Sequence, residues 1–227
     1  MNFVFPPAPA TVVPVVGSEA VFPVRRVYCV GQNYADHVAE MGGDARVPPF
    51  FFSKPADALV PEGGDVVYPP KTEKYQHEVE LVVAIGRGGR DIPVAEALEH
   101  VFGYAVGIDL TRRDLQAQAK ETKQPWEMGK GGDQGGPISA ICPAAVCGHP
   151  DRGTIRLSVN GSEKQCGDLA QMTWKVAEII ANLSEFVALA PGDLIFTGTP
   201  AGVSTIVCGD QVDAAIAGVG ELKIRLV

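Results

Sequence analysis

The segment Tyr75-Gln-His-Glu-Val-Glu-Leu-Val-Val-Ala-Ile85 predicts a central strand and a pair of acidic side chains where that strand begins. Residues 81–85 form a continuous apolar run with two valines, which is typical of a buried β-strand. Alternate side chains of a strand point to the same face, so Glu78 and Glu80 project together while Val79 points away. The segment therefore sets two carboxylates side by side at the mouth of an apolar strand.

Two adjacent carboxylates repel each other, and burial removes the water that would stabilise their charges. A hard divalent cation such as Mg²⁺ binds oxygen ligands and offsets that cost. A simpler interpretation is an edge strand whose acidic side chains face water. The rest of the chain has to decide between these two interpretations.

Composition indicates a folded, acidic protein. The 227 residues are 46% hydrophobic and 20% charged, which is enough apolar material for a substantial core. The net charge is −8 and there is no basic run, so we expect neither nucleic acid nor an anionic membrane surface as a partner. The 26 glycines and 18 prolines indicate many turns, as in a β-rich enzyme with long loops.

The cysteines and the N-terminus favour a cytoplasmic location. Five cysteines without a Cys-x-x-Cys pair are typical of reduced thiols rather than of a disulfide framework or a zinc site. The N-terminus lacks a positive region and is interrupted by prolines, so we expect no ordinary signal peptide. No apolar run approaches the ~18 residues of a membrane span.

The chain is expected to form one catalytic domain over residues 1–227. Residues 1–20 are an extended, proline-rich arm that pairs at a sheet edge or with another subunit, and residues 21–227 form the rest of the domain. The Asn160-Gly161 pair predicts a hairpin turn. Strands are expected at residues 24–30, 48–54, 65–68, 101–108, 194–196, 211–216 and 221–227, and helices at 93–101, after 111, and at 173–187.

Further polar residues occur at suggestive places. Asp109 follows the strand at 101–108, and Lys130 lies in a glycine-rich stretch that does not match a phosphate-binding loop. His37 and Glu40 are three apart on a predicted short helix and therefore share one face. By themselves they are more simply interpreted as two exposed polar residues on a surface helix than as catalytic residues.

Taken in order, these features closely resemble the fumarylacetoacetate hydrolase family, in particular its short acylpyruvate hydrolases. The resemblance begins at about Val24 and includes the Thr-Gly-Thr-Pro-x-Gly-Val turn at 197–203. The segments Tyr28-Cys-Val-Gly-Gln-Asn-Tyr-Ala-Asp-His37 and Pro49-Phe-Phe-Phe-Ser-Lys-Pro55 are similar to the branch that hydrolyses fumarylpyruvate. The resemblance implies a β-rich α+β fold, a mixed β-roll or barrel with a few flanking helices, and a homodimer.

The resemblance also implies roles for individual residues. Glu78, Glu80 and Asp109 would bind Mg²⁺ or Mn²⁺, leaving positions for water and a 2,4-dioxo acid. His37, oriented by Glu40, would deprotonate a water that attacks the C4 carbonyl of the substrate.

Other positions would act on the substrate directly. Lys130, with the metal, would stabilise the pyruvate enolate that leaves when the C3–C4 bond breaks. Tyr34, Arg113, Gln116 and Thr199 would contact the substrate.

One departure from the family pattern follows the lysine. Members commonly have Ser or Gly and then Phe, whereas this chain has Gly131 and Gly132. Loss of that phenylalanine removes a bulky wall from the expected substrate pocket.

The expected reaction is metal-dependent hydrolysis of fumarylpyruvate to fumarate and pyruvate. Alternatives that share the metal-bound enolate are an oxaloacetate decarboxylase or tautomerase and an isomerase or decarboxylase of a ring-cleavage product. The His37 and Glu40 pair favours hydrolysis, whereas a pocket without a cation for a distal carboxylate would favour oxaloacetate. A non-catalytic metal-binding protein would be expected to lack one of these residues.

Overall fold

The computed structural model describes residues 2–34 and 47–227. The strands of this part, in chain order, are β1 (Val12–Pro14), β2 (Val21–Pro23), β3 (Arg26–Gly31), β4 (Phe50–Lys54), β5 (Leu59–Pro61), β6 (Gly64–Val66), β7 (Tyr75–Gln76), β8 (Val79–Ile85), β9 (Val101–Ile108), β10 (Thr111–Arg112), β11 (Gly136–Ile138), β12 (Cys142–Pro143), β13 (Thr154–Val159), β14 (Ser162–Asp168), β15 (Asp193–Phe196), β16 (Gln211–Ile216) and β17 (Gly220–Leu226). Its α-helices are α1 (Arg113–Glu121), α2 (Glu127–Lys130), α3 (Ala144–Cys147) and α4 (Val176–Phe186), and short 3₁₀ turns occupy Ala56–Ala58, Ala97–His100 and Leu169–Gln171.

The predicted strand-rich α+β fold is confirmed, with a curled main sheet and few helices. In the main sheet the strand order is β4-β3-β15-β8-β9-β11-β5, and β12 also pairs with β9. Strand β8 is antiparallel to both of its neighbours, β15 and β9, and every residue of it is buried. The alternative of a solvated acidic edge strand is therefore wrong.

Strand β8 contributes to two cores because its side chains alternate between the faces of the sheet. Leu81, Val83 and Ile85 pack in the main core, which continues onto the five-stranded sheet β14-β13-β16-β17-β6. Val82 and Ala84 pack in a smaller core on the opposite face. Glu78 and Glu80 are each an even number of residues from Val82, so their side chains point to the same second face.

The N-terminal segment covers the second core. Strands β1 and β2 form an antiparallel pair, and the Val16 N–H donates to the Ile141 carbonyl over 2.9 Å. Val13 is buried in the smaller core. The expected arm therefore pairs within its own chain; its pairing with a second subunit and the division of the chain into domains stay predictions.

Two expected helices differ from the structure. Residues 94–100 form a turn and the 3₁₀ segment Ala97–His100, and Val101 already begins β9. The backbone N–H groups of Gly86 and Arg87 both donate to the His100 carbonyl and hold the chain near β8. The helix expected from Thr173 begins at Val176 instead. The Lys175 N–H before it donates to the Glu178 carboxylate over 2.7 Å. In the described ranges, no helix is both long enough and apolar enough to cross a bilayer.

Candidate metal centre and substrate cavity

Three buried carboxylates meet at the ends of two paired strands. Glu78 and Glu80 lie at the start of β8, and Asp109 directly follows β9, where its N–H donates to the Glu78 carbonyl over 2.8 Å. This bond extends the antiparallel ladder by one step and brings the three side chains to the same face. One oxygen from each carboxylate lies within 4.8 Å of the others. The structure thus brings together the three residues predicted as metal ligands.

Cationic side chains surround two of these carboxylates. Lys130 Nζ, at the end of α2, lies 2.7 Å from Glu78 Oε2 and 2.7 Å from Asp109 Oδ2. The Arg113 guanidinium donates to Glu78 Oε1. Sequence reasoning missed the third cation, Lys54, whose ammonium lies 2.8 Å from Asp109 Oδ1 and donates to the carbonyls of Leu110 and Lys130.

Glu80 has a different environment from its two neighbours. Its carboxylate accepts a 2.7 Å hydrogen bond from the Gly198 N–H, and no cation of the described residues lies within ion-pair distance of it. Burial raises the pKa of Glu80 well above its ordinary value, and the nearby Asp109 and Glu78 charges raise it further. Burial alone would lower the pKa of Lys130, but Asp109 and Glu78 reverse the direction and raise it.

The donor set fits a hard divalent cation. Three carboxylates supply the oxygen ligands that Mg²⁺ and Mn²⁺ prefer, and they converge in a small buried volume. Asp109 Oδ1 accepts no well-aligned hydrogen bond within the described part, despite the nearby Lys54 charge. Burial disfavours the charged form of Glu80, and a bound cation would favour that form again. The residues present can therefore hold such an ion.

The turn after β15 depends on a glycine. Gly198 has φ +97°, a left-handed conformation in which its N–H reaches Glu80, and a Cβ there would lie 2.8 Å from Asn33 Cβ. Asn33 supports the turn by donating from its side-chain amide to the Thr197 carbonyl over 2.8 Å. Gln165, a second residue that sequence reasoning missed, donates to the Thr199 hydroxyl over 2.8 Å.

The predicted substrate-contacting residues occupy two kinds of place. Arg113, Gln116 and Thr199 line a cavity above the carboxylates, together with Lys130. Arg113 Nη1 donates to Gln116 Oε1 over 2.6 Å, which fixes both side chains. Tyr34 is 2% exposed, packs in the main core and is not among the described residues that line the cavity.

His37, the predicted general base, and Glu40, its predicted orienting partner, lie outside the described residues, so their roles stay predictions. His77 next to the carboxylates, which sequence reasoning did not count as a ligand, forms hydrogen bonds to Gln165 over 2.9 Å and to Ser204 over 2.8 Å. Both of its ring nitrogens are therefore engaged by neighbouring side chains.

The outer part of the cavity contains residues that the sequence did not single out. Phe52, Lys120 and Trp126 line it, and we refer to these three residues as the rim. Gly132, where family members commonly have phenylalanine, lies beside another side chain. A Cβ on Gly132 would lie 2.8 Å from the Arg112 guanidinium, so Arg112 occupies the space beside this glycine.

The curled sheet and the buried carboxylate triad define a class: a strand-rich α+β protein whose residues can hold a divalent cation under a substrate cavity. The family model for the fumarylacetoacetate (FAA) hydrolase C-terminal region matches residues 26–227. The chain belongs to the fumarylacetoacetate hydrolase family, as the sequence predicted.

The chain is similar to individual members of this family, both in sequence and in solved structures. The chain is 43% identical over 177 residues to fumarylpyruvate hydrolase of Ralstonia sp., covering 78% of this chain and 92% of that protein. It is 38% identical over 198 residues to the mitochondrial oxaloacetate tautomerase of Arabidopsis thaliana, covering 87% and 89%. The crystal structure of fumarylpyruvate hydrolase from Pseudomonas aeruginosa in complex with Mn²⁺ and pyruvate has a TM-score of 0.97 and 50% identity, covering 100% and 99%.

These findings confirm the predicted enzyme class. The chain is a hydrolase of the class that acts on carbon–carbon bonds in ketonic substances.

Proposed function

We propose that this enzyme hydrolyses an acylpyruvate, and specifically fumarylpyruvate with water to fumarate and pyruvate. The observation that carries the proposal is the buried triad of Glu78, Glu80 and Asp109 with the Lys130 ammonium between two of its members. A solved structure of a 50% identical protein in complex with Mn²⁺ and pyruvate supports the same chemistry for this chain.

Glu78, Glu80 and Asp109 would hold Mg²⁺ or Mn²⁺, which when bound supplies a Lewis acid for the oxygens of a 2-oxo acid. The remaining roles belong to the chain itself. Lys130 is buried, and the Asp109 and Glu78 charges raise its pKa, so its ammonium stabilises negative charge that develops on the departing pyruvate unit.

Substrate orientation falls to three residues of the cavity wall. The Arg113 guanidinium and the Gln116 amide are preset by their mutual hydrogen bond, and the Thr199 hydroxyl is held by Gln165. Polar groups fixed in this way lose little freedom when a dioxo acid binds, which favours a reactive geometry.

Water activation is assigned to His37, with Glu40 orienting its imidazole. This assignment comes from the family resemblance and remains a proposal. A neutral imidazole has a pKa close to working pH and can accept the proton of the attacking water.

The second candidate is oxaloacetate tautomerase, which is supported by the 38% identity to that enzyme. Keto–enol exchange moves one proton and needs no attacking water, so the same carboxylates and Lys130 would suffice. Fold and metal ligands therefore do not separate the two reactions.

Three further assignments are proposals that accompany the reaction. We propose a single catalytic domain over the whole chain, a homodimer, and a cytoplasmic role in the breakdown of aromatic compounds. They derive from the composition and from the family resemblance, and size-exclusion chromatography with light scattering would measure the oligomer.

The deciding experiment compares substrates on one metal-stripped preparation. Pyruvate release from fumarylpyruvate and enol loss from oxaloacetate are measured without metal, with Mg²⁺ and with Mn²⁺. The same assays are run for His37→Ala and, as a surface control, Lys164→Ala. We expect metal-dependent pyruvate release that falls at least about a hundredfold in His37→Ala and is unchanged in Lys164→Ala.

Two results would contradict the proposal. If pyruvate release persists in His37→Ala, the assignment of His37 as the general base is wrong, although the proposed reaction still holds. A wild-type enzyme that leaves fumarylpyruvate intact but tautomerises oxaloacetate would make the second candidate correct.

A further inference from the structure

One face of helix α1 supplies three side chains to the cavity. Arg113, Gln116 and Lys120 are spaced i, i+3 and i+7, which places them on the same side of an α-helix. All three line the cavity above the carboxylates. Arg113 is at the inner end of this row, where it donates to Glu78, and Lys120 is at the outer end.

Lys120 differs from the other cations of this cavity in its partners. Arg113 pairs with Glu78, and Lys130 pairs with Glu78 and Asp109. Within residues 2–34 and 47–227, Lys120 forms no ion pair with a carboxylate, although the Glu78 charge acts on it. Among the described cations that line the cavity, Lys120 is therefore the one that can pair with an anionic group of a ligand.

An aromatic surface holds Lys120 in place. Its Nζ lies 5.0 Å from the centroid of the Trp126 ring, within the range of a cation–π contact. Trp126 in turn packs edge-on against Phe50, with ring centroids 5.1 Å apart and planes at 87°. Such support lowers the freedom that the lysine side chain loses when it binds an anion.

Neighbouring cations outweigh the nearby carboxylate at this position. Partial burial lowers the pKa of Lys120, the positive charges of Arg113 and Lys130 lower it further, and the Glu78 carboxylate raises it without reversing the direction. An anionic group beside Lys120 would relieve this repulsion between cations.

We propose that Lys120 binds the distal carboxylate of the acyl group, so that it selects acylpyruvates with a carboxylate at the far end. The proposal rests on the proposed function and adds to it the class of acyl group that the site accepts. Lys120 would be a specificity-determining residue at the rim, and the bond-breaking step would remain with the inner residues.

The spacing of the row agrees with the length of such a substrate. Seven residues of α-helix advance about 10 Å, which is the axial separation of Arg113 and Lys120. A seven-carbon dicarboxylic acid such as fumarylpyruvate spans roughly 7–8 Å between its terminal carboxyl carbons. With the oxo-acid end among the inner residues, the far carboxylate would come within reach of the Lys120 side chain.

The test compares two acylpyruvates that differ at the far end. Fumarylpyruvate has a distal carboxylate, whereas acetylpyruvate ends in a methyl group. For Lys120→Met we expect kcat/KM on fumarylpyruvate to fall about tenfold or more, mainly through KM, and kcat/KM on acetylpyruvate to stay within about twofold. Lys120→Arg should recover most of the loss, and Lys164→Met is the matched surface control.

A binding measurement separates recognition from turnover. Fumarate is used as a competitive inhibitor of acetylpyruvate hydrolysis in the wild type and in Lys120→Met. We expect the inhibition constant of fumarate to rise about tenfold in the variant and that of pyruvate to remain unchanged. Thermal unfolding of each variant checks that the fold is intact.

The outcomes distinguish this inference from the function on which it rests. Equal losses on both substrates, no loss on either, or unchanged inhibition by fumarate would overturn the role of Lys120 alone. A folded wild-type enzyme that hydrolyses neither acylpyruvate would overturn the proposed function, and the role of Lys120 with it.

Discussion

The buried centre and the rim of the same cavity handle charge in opposite ways. In the centre, Glu78 and Asp109 are each fixed by cationic side chains, and Lys130 lies between them. At the rim, Lys120 is only partly buried, and its Nζ lies 5.0 Å from the centroid of the Trp126 ring. Phe52 is the rim residue that contacts the centre, because its ring centroid lies 5.1 Å from Lys130 Nζ and 5.9 Å from the Trp126 ring centroid.

This difference suggests a division of labour. Buried charges in fixed pairs interact strongly and lose no energy to reorganisation, which suits the stabilisation of a reaction intermediate. An exposed cation on an aromatic surface interacts more weakly and can be changed without loss of the centre. We therefore expect changes in the centre to affect metal binding and turnover, and changes at the rim to affect the choice of substrate.

The largest effect is expected from Glu80→Gln. The amide keeps the shape but is a poor metal ligand, so activity should fall by about three orders of magnitude. Because burial raises the pKa of Glu80, its charge costs the metal-free protein stability, and the variant should unfold at a higher temperature, by about 2–4 °C per kcal/mol gained.

Calorimetric titration with Mn²⁺ and thermal unfolding without metal measure the two effects of Glu80→Gln, with exposed Glu163→Gln as the control. A variant that still binds Mn²⁺ tightly, or that is less stable than the metal-free wild type, would contradict the assigned role of Glu80 in the centre.

A smaller effect is expected from Lys54→Met, which removes the cation beside Asp109 Oδ1. Outer partners of metal ligands commonly alter metal affinity by about 10–100-fold, so the Mn²⁺ affinity should fall in that range while turnover at saturating metal changes less. Lys164→Met provides an exposed lysine for comparison. Unchanged Mn²⁺ affinity would show that Lys54 only fills space below the centre.

The smallest effect is expected at the rim, from Trp126→Phe. The smaller ring weakens a contact worth about 0.5–1 kcal/mol, so KM for fumarylpyruvate should rise about two- to fivefold. Steady-state kinetics on fumarylpyruvate and acetylpyruvate measure this, with exposed Phe3→Leu as the control. A fall in kcat, or the same change in KM for both substrates, would show that the rim and the centre are not separable.

Much of this arrangement was predictable from local sequence patterns. The strand expected at 101–108 has the bounds Val101–Ile108, and the Asn160-Gly161 pair does join β13 to β14. Periodicity of two also predicted that Glu78 and Glu80 share a face. These features depend on residues that are close together in the chain, so local sequence patterns are sufficient to predict them.

Lys54 shows where such rules fail. A lysine at the end of a short aromatic strand is normally exposed, yet its side chain is fully buried here. Its burial depends on Asp109, which is distant in sequence and arrives beside it only through the order β4-β3-β15-β8-β9. Gln165 is a similar case, because it lies in β14 of the five-stranded sheet and donates from there to the Thr199 hydroxyl.

The sequence by itself determined the strand-rich fold and the shared face of Glu78 and Glu80, because apolar runs and alternation act over a few residues. The family, and Asp109 as the third carboxylate, followed from a resemblance of ordered motifs and not from periodicity. Only the tertiary structure decided which cations neutralise those carboxylates and which cation does not. Charge pairing in a buried site depends on distances between residues far apart in the chain, and only the folded sheet sets those distances.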